Sequence, residues 1–265
     1  MPYGRDKLLI ESIAAESAKF TAPILLVHGL WGSAAVWRRF TGYLAHRGWN
    51  CRALNLRGHG GSDTPLVLGA VRFADYLDDV RQAMAACETP PVLLGHDIGG
   101  LLALHAAPLA RAVVALAPLV PQPLRSPARA PFTGLRTGFA MWRARPLPPP
   151  RGTAGRRFFG PRTPAGATVE SGTVLRQLSR DDLRFPAVPA VPTLIMAAQA
   201  DLVSPVEAVE RLATYAGATL RQVPEVGHGL PWEDGWEQRV GEIHRWLIQQ
   251  LGEDLLAITE EDEQP

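Results

Sequence analysis

The chain has 265 residues, a hydrophobic content of 46% and a formal net charge of +1. That apolar content supports a large buried core and excludes a disordered chain. The near-neutral charge gives no case for nucleic-acid binding as a whole-chain property. Cys51 and Cys87 stand apart without metal-ligand spacing and read as small buried hydrophobes, so no metal and no cofactor are expected. The opening Met1-Pro2-Tyr3-Gly4-Arg5-Asp6-Lys7 is too polar for a signal peptide, and no apolar run reaches membrane-spanning length. A soluble, cytoplasmic protein without a membrane partner is expected.

In chain order, Leu8 to Glu16 reads as a strand with mixed alternation. Ile24-Leu25-Leu26-Val27 is wholly apolar, as expected of a parallel strand buried on both faces. Residues 33–47 have helical spacing through Val36, Phe40, Tyr43 and Leu44. Trp49 to Asn55 reads as a strand ending in the turn-rich Arg57-Gly58-His59-Gly60-Gly61-Ser62-Asp63. Residues 71–86 form an amphipathic helix, and Pro91 to Leu94 is another short apolar strand. A helix from Ile98 to about Ala107 and a strand from Ala112 to Ala117 follow. Beyond Pro118 the alternation stops. Residues 121–165 are rich in Pro, Arg and Gly, with helical stretches expected at 132–143 (Phe132, Leu135, Phe139 and Trp142 on one face) and roughly 167–180. The rhythm resumes with a strand at Pro192 to Ala198, a helix at 204–215, a strand at Leu220 to Val223 and a helix at 232–251.

Strands and helices alternating in this way predict βαβ units and a mostly parallel sheet covered on both faces. The expected division is a core at residues 1–120 and 186–252, an insertion at 121–185 and an acidic tail at 253–265. The insertion carries the strongest compositional bias: residues 121–180 hold eleven arginines and a single acid, Glu170, while the remainder is net acidic. These arginines form either a solvated face or an electropositive entrance for an anionic small-molecule substrate or an acidic carrier protein.

In open α/β sheets the functional crevice lies at the carboxyl ends of the strands. The most informative loop there is Gly95-His96-Asp97-Ile98-Gly99, between a buried strand and a helix. Glycines on both sides permit a turn too tight for a Cβ and leave the central side chain at the helix N-terminus, as in a nucleophile elbow. Asp201 follows a strand in Gln199-Ala200-Asp201-Leu202-Val203-Ser204-Pro205, and His228 follows the last strand in Val226-Gly227-His228-Gly229. The order nucleophile, acid, histidine resembles the α/β-hydrolase family. Val27-His28-Gly29-Leu30-Trp31-Gly32 is similar to its oxyanion loop, and Arg57-Gly58-His59-Gly60 to another of its motifs. The resemblance covers about residues 20–120 and 190–250. It implies an α/β-hydrolase fold with a lid at the insertion, an oxyanion hole from the backbone N–H groups of Leu30 and Ile98, and local hydrogen-bonding roles for His28, His59 and His96.

The elbow position holds Asp97 where this family usually has serine. A carboxylate attacks esters poorly, because the resulting anhydride reverts, but it displaces a leaving group from saturated carbon to form an alkyl ester. His228, supported by Asp201, would then activate water. Haloalkane dehalogenases and epoxide hydrolases resemble this arrangement, so a carbon–halogen or epoxide substrate is the first expectation. The donors of these subfamilies are not matched. None of Tyr3, Tyr43, Tyr76 and Tyr215 falls in the insertion, where epoxide hydrolases carry their tyrosines. Ile98 stands where haloalkane dehalogenases carry a halide-binding tryptophan. Trp31 and Trp142 are the candidates for replacement N–H donors in the substrate pocket. The alternatives are a lyase, isomerase or cyclase using Asp97 and His228 as acid and base, an ester or lactone hydrolase with Asp97 as general base, and a binding protein without turnover.

Overall fold

The computed structural model describes residues 7–122, 124–125, 135–180, 183 and 186–252. The expected acidic tail and Phe132 lie outside them. Seven strands form one sheet: β1 (Ile10–Ile13), β2 (Ile24–Val27), β3 (Cys51–Leu54), β4 (Val92–His96), β5 (Ala112–Leu116), β6 (Thr193–Ala198) and β7 (Thr219–Val223). Their order across the sheet is β1-β3-β2-β4-β5-β6-β7. Only β1 runs antiparallel, pairing Ile10 with Leu54 at the edge, while the other pairings are parallel.

The apolar strands divide their side chains between two cores by the period-2 alternation of a pleated sheet. Leu25, Val27, Leu93, Val113, Ala115, Ile195 and Ala197 enter one core, with α2 (Phe73–Ala85), α3 (Ile98–Ala106) and α7 (Val206–Ala216). Ile24, Leu26, Val92, Leu94, Val114, Leu194 and Met196 enter the other, with α1 (Arg38–His46) and α8 (Trp236–Leu251). A sheet buried on both faces is therefore why these strands read as continuous apolar runs. Among the described residues no helix is long and apolar enough to cross a membrane.

The elements differ from expectation mainly at their ends and in the insertion. The expected helix 33–47 divides into a 3-10 turn, Ala34–Trp37, followed by α1. Between β5 and β6 the chain forms α4 (Leu135–Trp142), α5 (Gly152–Phe159) and α6 (Gly172–Ser179). The expected stretch 167–180 shortens to α6, which starts where the Ser171 hydroxyl accepts from the N–H groups of Thr173 and Val174, an N-cap. Helix α5 has no counterpart in the sequence reading, because its glycines and short length hide it. It forms where Phe158 and Phe159 find a buried surface, at 4% and 1% exposure, so tertiary burial overrides weak propensity. Leu147 and Glu170 exchange backbone hydrogen bonds of 2.8 Å in both directions. That isolated bridge fixes where Glu170 enters the core.

Candidate active site

Asp97 stands between β4 and α3 with φ 56° and ψ −121°. This conformation is strained for any residue with a Cβ, at a cost of roughly 1–3 kcal/mol. The flanking glycines make the turn possible: a Cβ on Gly95 would strike the Gly99 carbonyl, and one on Gly99 would strike the Val27 carbonyl. Gly29 is needed for a different reason, since a Cβ there would lie 2.8 Å from both Cβ and Oδ2 of Asp97. The elbow also ties itself to the sheet: the Asp97 N–H donates to Leu116 O, and its carbonyl accepts from the amides of Leu101 and Leu119.

The structure brings Asp97, His228 and Asp201 together in the buried interior, at 0%, 1% and 5% exposure. His228 Nδ1 donates to Asp201 Oδ2 at 2.7 Å. Asp201 is itself held by the amides of Val203 and Ser204, both donating to Oδ1. His228 Nε2 faces Asp97 Oδ1 at 3.4 Å, a close charge contact without hydrogen-bond alignment. Burial opposes charging this imidazole, but the carboxylates of Asp201 and Asp97 outweigh it and raise its pKa from 6.5 to about 10. His228 therefore rests as an imidazolium between two carboxylates at neutral pH.

The second oxygen of Asp97 meets one of the two backbone amides expected to form an oxyanion hole. The Leu30 N–H donates to Oδ2 at 2.7 Å, a charge-assisted bond worth roughly 1.5–3 kcal/mol. Ile98 is the first residue of α3, so its amide belongs to the helix's positive end.

The three histidines of the family-like motifs separate by their partners. His28 Nδ1 donates to Gly29 O and its Nε2 accepts from the Leu56 N–H; burial above all lowers its pKa to about 3, so it is neutral. His96 acts at longer range than expected. Its Nε2 donates to the backbone carbonyl of His228 at 2.7 Å, joining the elbow to the histidine loop. Burial, then the neighbouring His228, lowers its pKa to about 4. His59 differs from both: Nδ1 donates to Arg57 O, and Nε2 lies 3.3 Å from Glu170 Oε2. Burial opposes its charge, but Glu170 raises its pKa.

Glu170 is the residue whose part in the site sequence reasoning missed. It comes from the β5–β6 insertion yet is only 1% exposed. Its Oε2 accepts from the backbone N–H of Trp31 at 3.1 Å, and its Oε1 from the Tyr76 hydroxyl at 2.6 Å and the Ser171 N–H at 2.7 Å. A lone acid among eleven arginines was a visible signal, but it pointed to charge rather than to burial.

The two tryptophan candidates need correction. Trp31 is buried beside the site, edge-on to Phe158, which in turn packs 5.1 Å from the His228 ring. Its indole N–H, however, donates to Leu147 O at 3.1 Å and is committed to holding the insertion. Trp142 is 63% exposed on α4, beside Phe139 and Arg143. The apolar face of α4 stays in solvent at Phe139 and Trp142. Among the described residues no group of three His, Cys, Asp or Glu side chains is placed to hold a metal ion.

The sequence model of the alpha/beta hydrolase family matches residues 24–242. Human protein phosphatase methylesterase 1 is 39% identical over 89 residues, 32% of this chain and 23% of that protein. Mouse protein ABHD8 is 29% identical over 87 residues, 32% of this chain and 20% of that protein. The chain thus spans about a quarter or less of these relatives. Among solved structures, a monoacylglycerol lipase from Paleococcus ferrophilus superposes with a TM-score of 0.72 at 20% identity, covering 92% of this chain and 99% of that one. A thermophilic esterase from Thermogutta terrifontis gives 0.65 at 19% identity, with 91% and 93% covered.

Proposed function

Because the chain belongs to the alpha/beta hydrolase family, we propose that it is a cofactor-free hydrolase whose nucleophile is Asp97, acting on a small organic substrate at saturated carbon bearing a leaving group. The observation that carries this reading is the unequal treatment of the two Asp97 oxygens. Oδ2 is held by the Leu30 amide, while Oδ1 makes no aligned hydrogen bond. Oδ1, held only by its charge contact with His228 Nε2 at 3.4 Å, is the oxygen left to attack.

In this mechanism Oδ1 attacks the carbon in line, a C–O bond forms, and the leaving group departs with the bonding electron pair. Asp97 then carries an ester and no charge. Losing that carboxylate removes one of the two groups that hold His228 protonated, so the imidazolium becomes more acidic when a base is needed. Its Nε2 proton passes to the departed leaving group, after which His228 Nε2 accepts one from water, whose oxygen adds to Asp97 Cγ. The developing oxyanion on Oδ2 is met by the Leu30 and Ile98 amides. Collapse breaks the Cγ–Oδ1 bond, the alcohol takes its proton from His228, and one water oxygen stays in Asp97. We further propose that the β5–β6 insertion is a lid. Asp97 has no exposure and Phe158 packs over His228, so substrate has to displace α5. The arginines of that lid favour an anionic substrate.

A second reading draws on the donors. The Trp31 indole and the Tyr76 hydroxyl are committed to Leu147 and Glu170, which leaves neither for a halide or an epoxide oxygen. That favours acid–base work by the His228 imidazolium and Asp97, in ester or lactone hydrolysis or in a lyase or isomerase step. The similar solved structures named as lipase and esterase fit the ester branch.

One experiment separates the readings. The protein is screened against 1-bromobutane, styrene oxide and p-nitrophenyl butyrate, then taken through a single turnover in ¹⁸O-water with the first substrate that yields product. Peptide mass spectrometry is expected to find one ¹⁸O in Asp97. Product with Asp97 unlabelled overturns the covalent reading in favour of acid–base chemistry.

A further inference from the structure

Three contacts from the insertion converge on one residue of the oxyanion loop. Trp31 receives Glu170 Oε2 on its backbone N–H, the Thr168 N–H on its carbonyl, and Leu147 O on its indole. Trp31 is also a non-glycine residue at φ 57°, a strained conformation that persists only where surrounding contacts over-determine it. It directly follows Leu30, whose N–H is aimed at Asp97 Oδ2. The peptide plane that presents the Trp31 amide to Glu170 begins at the Leu30 carbonyl, so tilting it re-aims the Leu30 amide one Cα away.

We propose that Glu170 is a positioning residue for the oxyanion hole: by gripping the Trp31 amide it aims the Leu30 N–H at Asp97, and the hole is complete only while the insertion is docked. Asp97 as nucleophile is the reading this rests on for its catalytic meaning; the geometric coupling exists in the resting protein whatever the reaction. The chemistry of the cage supports it. Trp31 N–H, Ser171 N–H and Tyr76 O–H all donate to Glu170. With Nδ1 protonated towards Arg57 O, His59 Nε2, 3.3 Å from Oε2, donates only in the imidazolium form, which the neighbouring Glu170 favours. Three donors already occupy both Glu170 oxygens as acceptors, an arrangement that suits a carboxylate. A glutamine must turn its NH₂ towards either the Trp31 or the Ser171 amide, so one backbone donor loses its acceptor whichever way it sits. Burial opposes ionisation of Glu170, but His59 and the donors around it lower its pKa.

The test is amide hydrogen exchange by NMR on the full chain, with Glu170→Gln compared with wild type below the unfolding temperature of both. The expected result is that the Leu30 and Trp31 amides exchange about 10- to 100-fold faster, while the Leu119 amide, which donates to Asp97 O from the other side of the elbow, is unchanged. Faster exchange at Trp31 with Leu30 unchanged overturns the proposal and leaves Glu170 as a latch for the insertion. Equal acceleration at Leu119 overturns it as general loosening. Should Glu170→Gln fail to fold, Glu170→Asp keeps the charge beside His59 but is one methylene short of Trp31, and the same three amides decide. On a substrate found in the screen above, Glu170→Gln is expected to lower kcat about tenfold or more with KM changed by less than about threefold. Exchange needs no substrate, so failure of the Asp97 chemistry and failure of the Glu170 coupling are distinguishable.

Discussion

Two buried carboxylates, each beside a histidine, lie against neighbouring residues of the Leu30–Trp31 loop, and they are bonded differently. Glu170 and His59 join the insertion to the core; both Glu170 oxygens accept hydrogen bonds from Trp31, Tyr76 and Ser171, while His59 Nε2 stands 3.3 Å away without an aligned one. Asp97 and His228 both come from the core's strand-end loops, and one Asp97 oxygen faces an imidazole at 3.4 Å without an aligned bond. A buried polar atom left unsatisfied is costly, so where one persists on a strained backbone it marks a place where stability is given up for chemistry. Glu170 is the fully bonded carboxylate; Asp97, with one oxygen unmatched, is the one the proposed mechanism uses.

The sharpest way to break this contrast is to remove the reactive groups. Asp97→Asn should lower turnover by at least about 10³-fold, measured as product formation on an active substrate. His228→Gln should stop the reaction after the first step and leave a mass adduct on the Asp97 peptide. Full activity in either variant returns Asp97 to a passive role.

Stability should respond in the reverse order. Glu170→Ala leaves the buried His59, the Tyr76 hydroxyl and two backbone amides without their acceptor, and is expected to cost about 3–5 kcal/mol in urea denaturation. Asp97→Asn relieves no cage of donors and keeps an oxygen for the Leu30 amide, so its effect should stay within about 1 kcal/mol. Equal losses at the two sites would erase the distinction.

The pH dependence follows from His228. Its folded-state pKa lies above the unfolded value, at about 10 against 6.5. The protein therefore binds this proton more tightly than the unfolded chain does. The stabilisation is fully present below pH 6.5 and is lost as pH rises through about 10. Thermal melts across that window should show wild type losing Tm more steeply than His228→Gln. His59, with its pKa also raised, should contribute a slope of the same sign that Glu170→Ala removes.

The smallest effects concern the surface of the insertion. If its arginines steer an anionic substrate, kcat/KM should fall a few-fold between low and high salt and stay flat for a neutral one. Trp142→Ala should leave turnover within about twofold, because that ring is 63% exposed.

Much of this was legible in the chain itself. The apolar runs from Ile24 to Val27 and Val92 to Leu94 announce strands buried on both faces, since no partly solvated strand tolerates such continuity. The glycines around Asp97 announce a turn with no space for a Cβ, and the order Asp97, Asp201, His228 follows from which strand ends come next. Local spacing carries that information because adjacent residues share one backbone. The pairing of Glu170 with His59 and Tyr76 joins residues about a hundred positions apart, and no local pattern encodes it. The burial of Phe158 over His228, the loss of the Trp31 indole to Leu147 and the exposure of Trp142 are of the same kind. They depend on how the insertion packs across the carboxyl end of the sheet, where short helices with weak propensity take their shape from the surface they cover. Tertiary packing alone decided which of two buried carboxylates is fully bonded and which retains an oxygen without an aligned hydrogen bond.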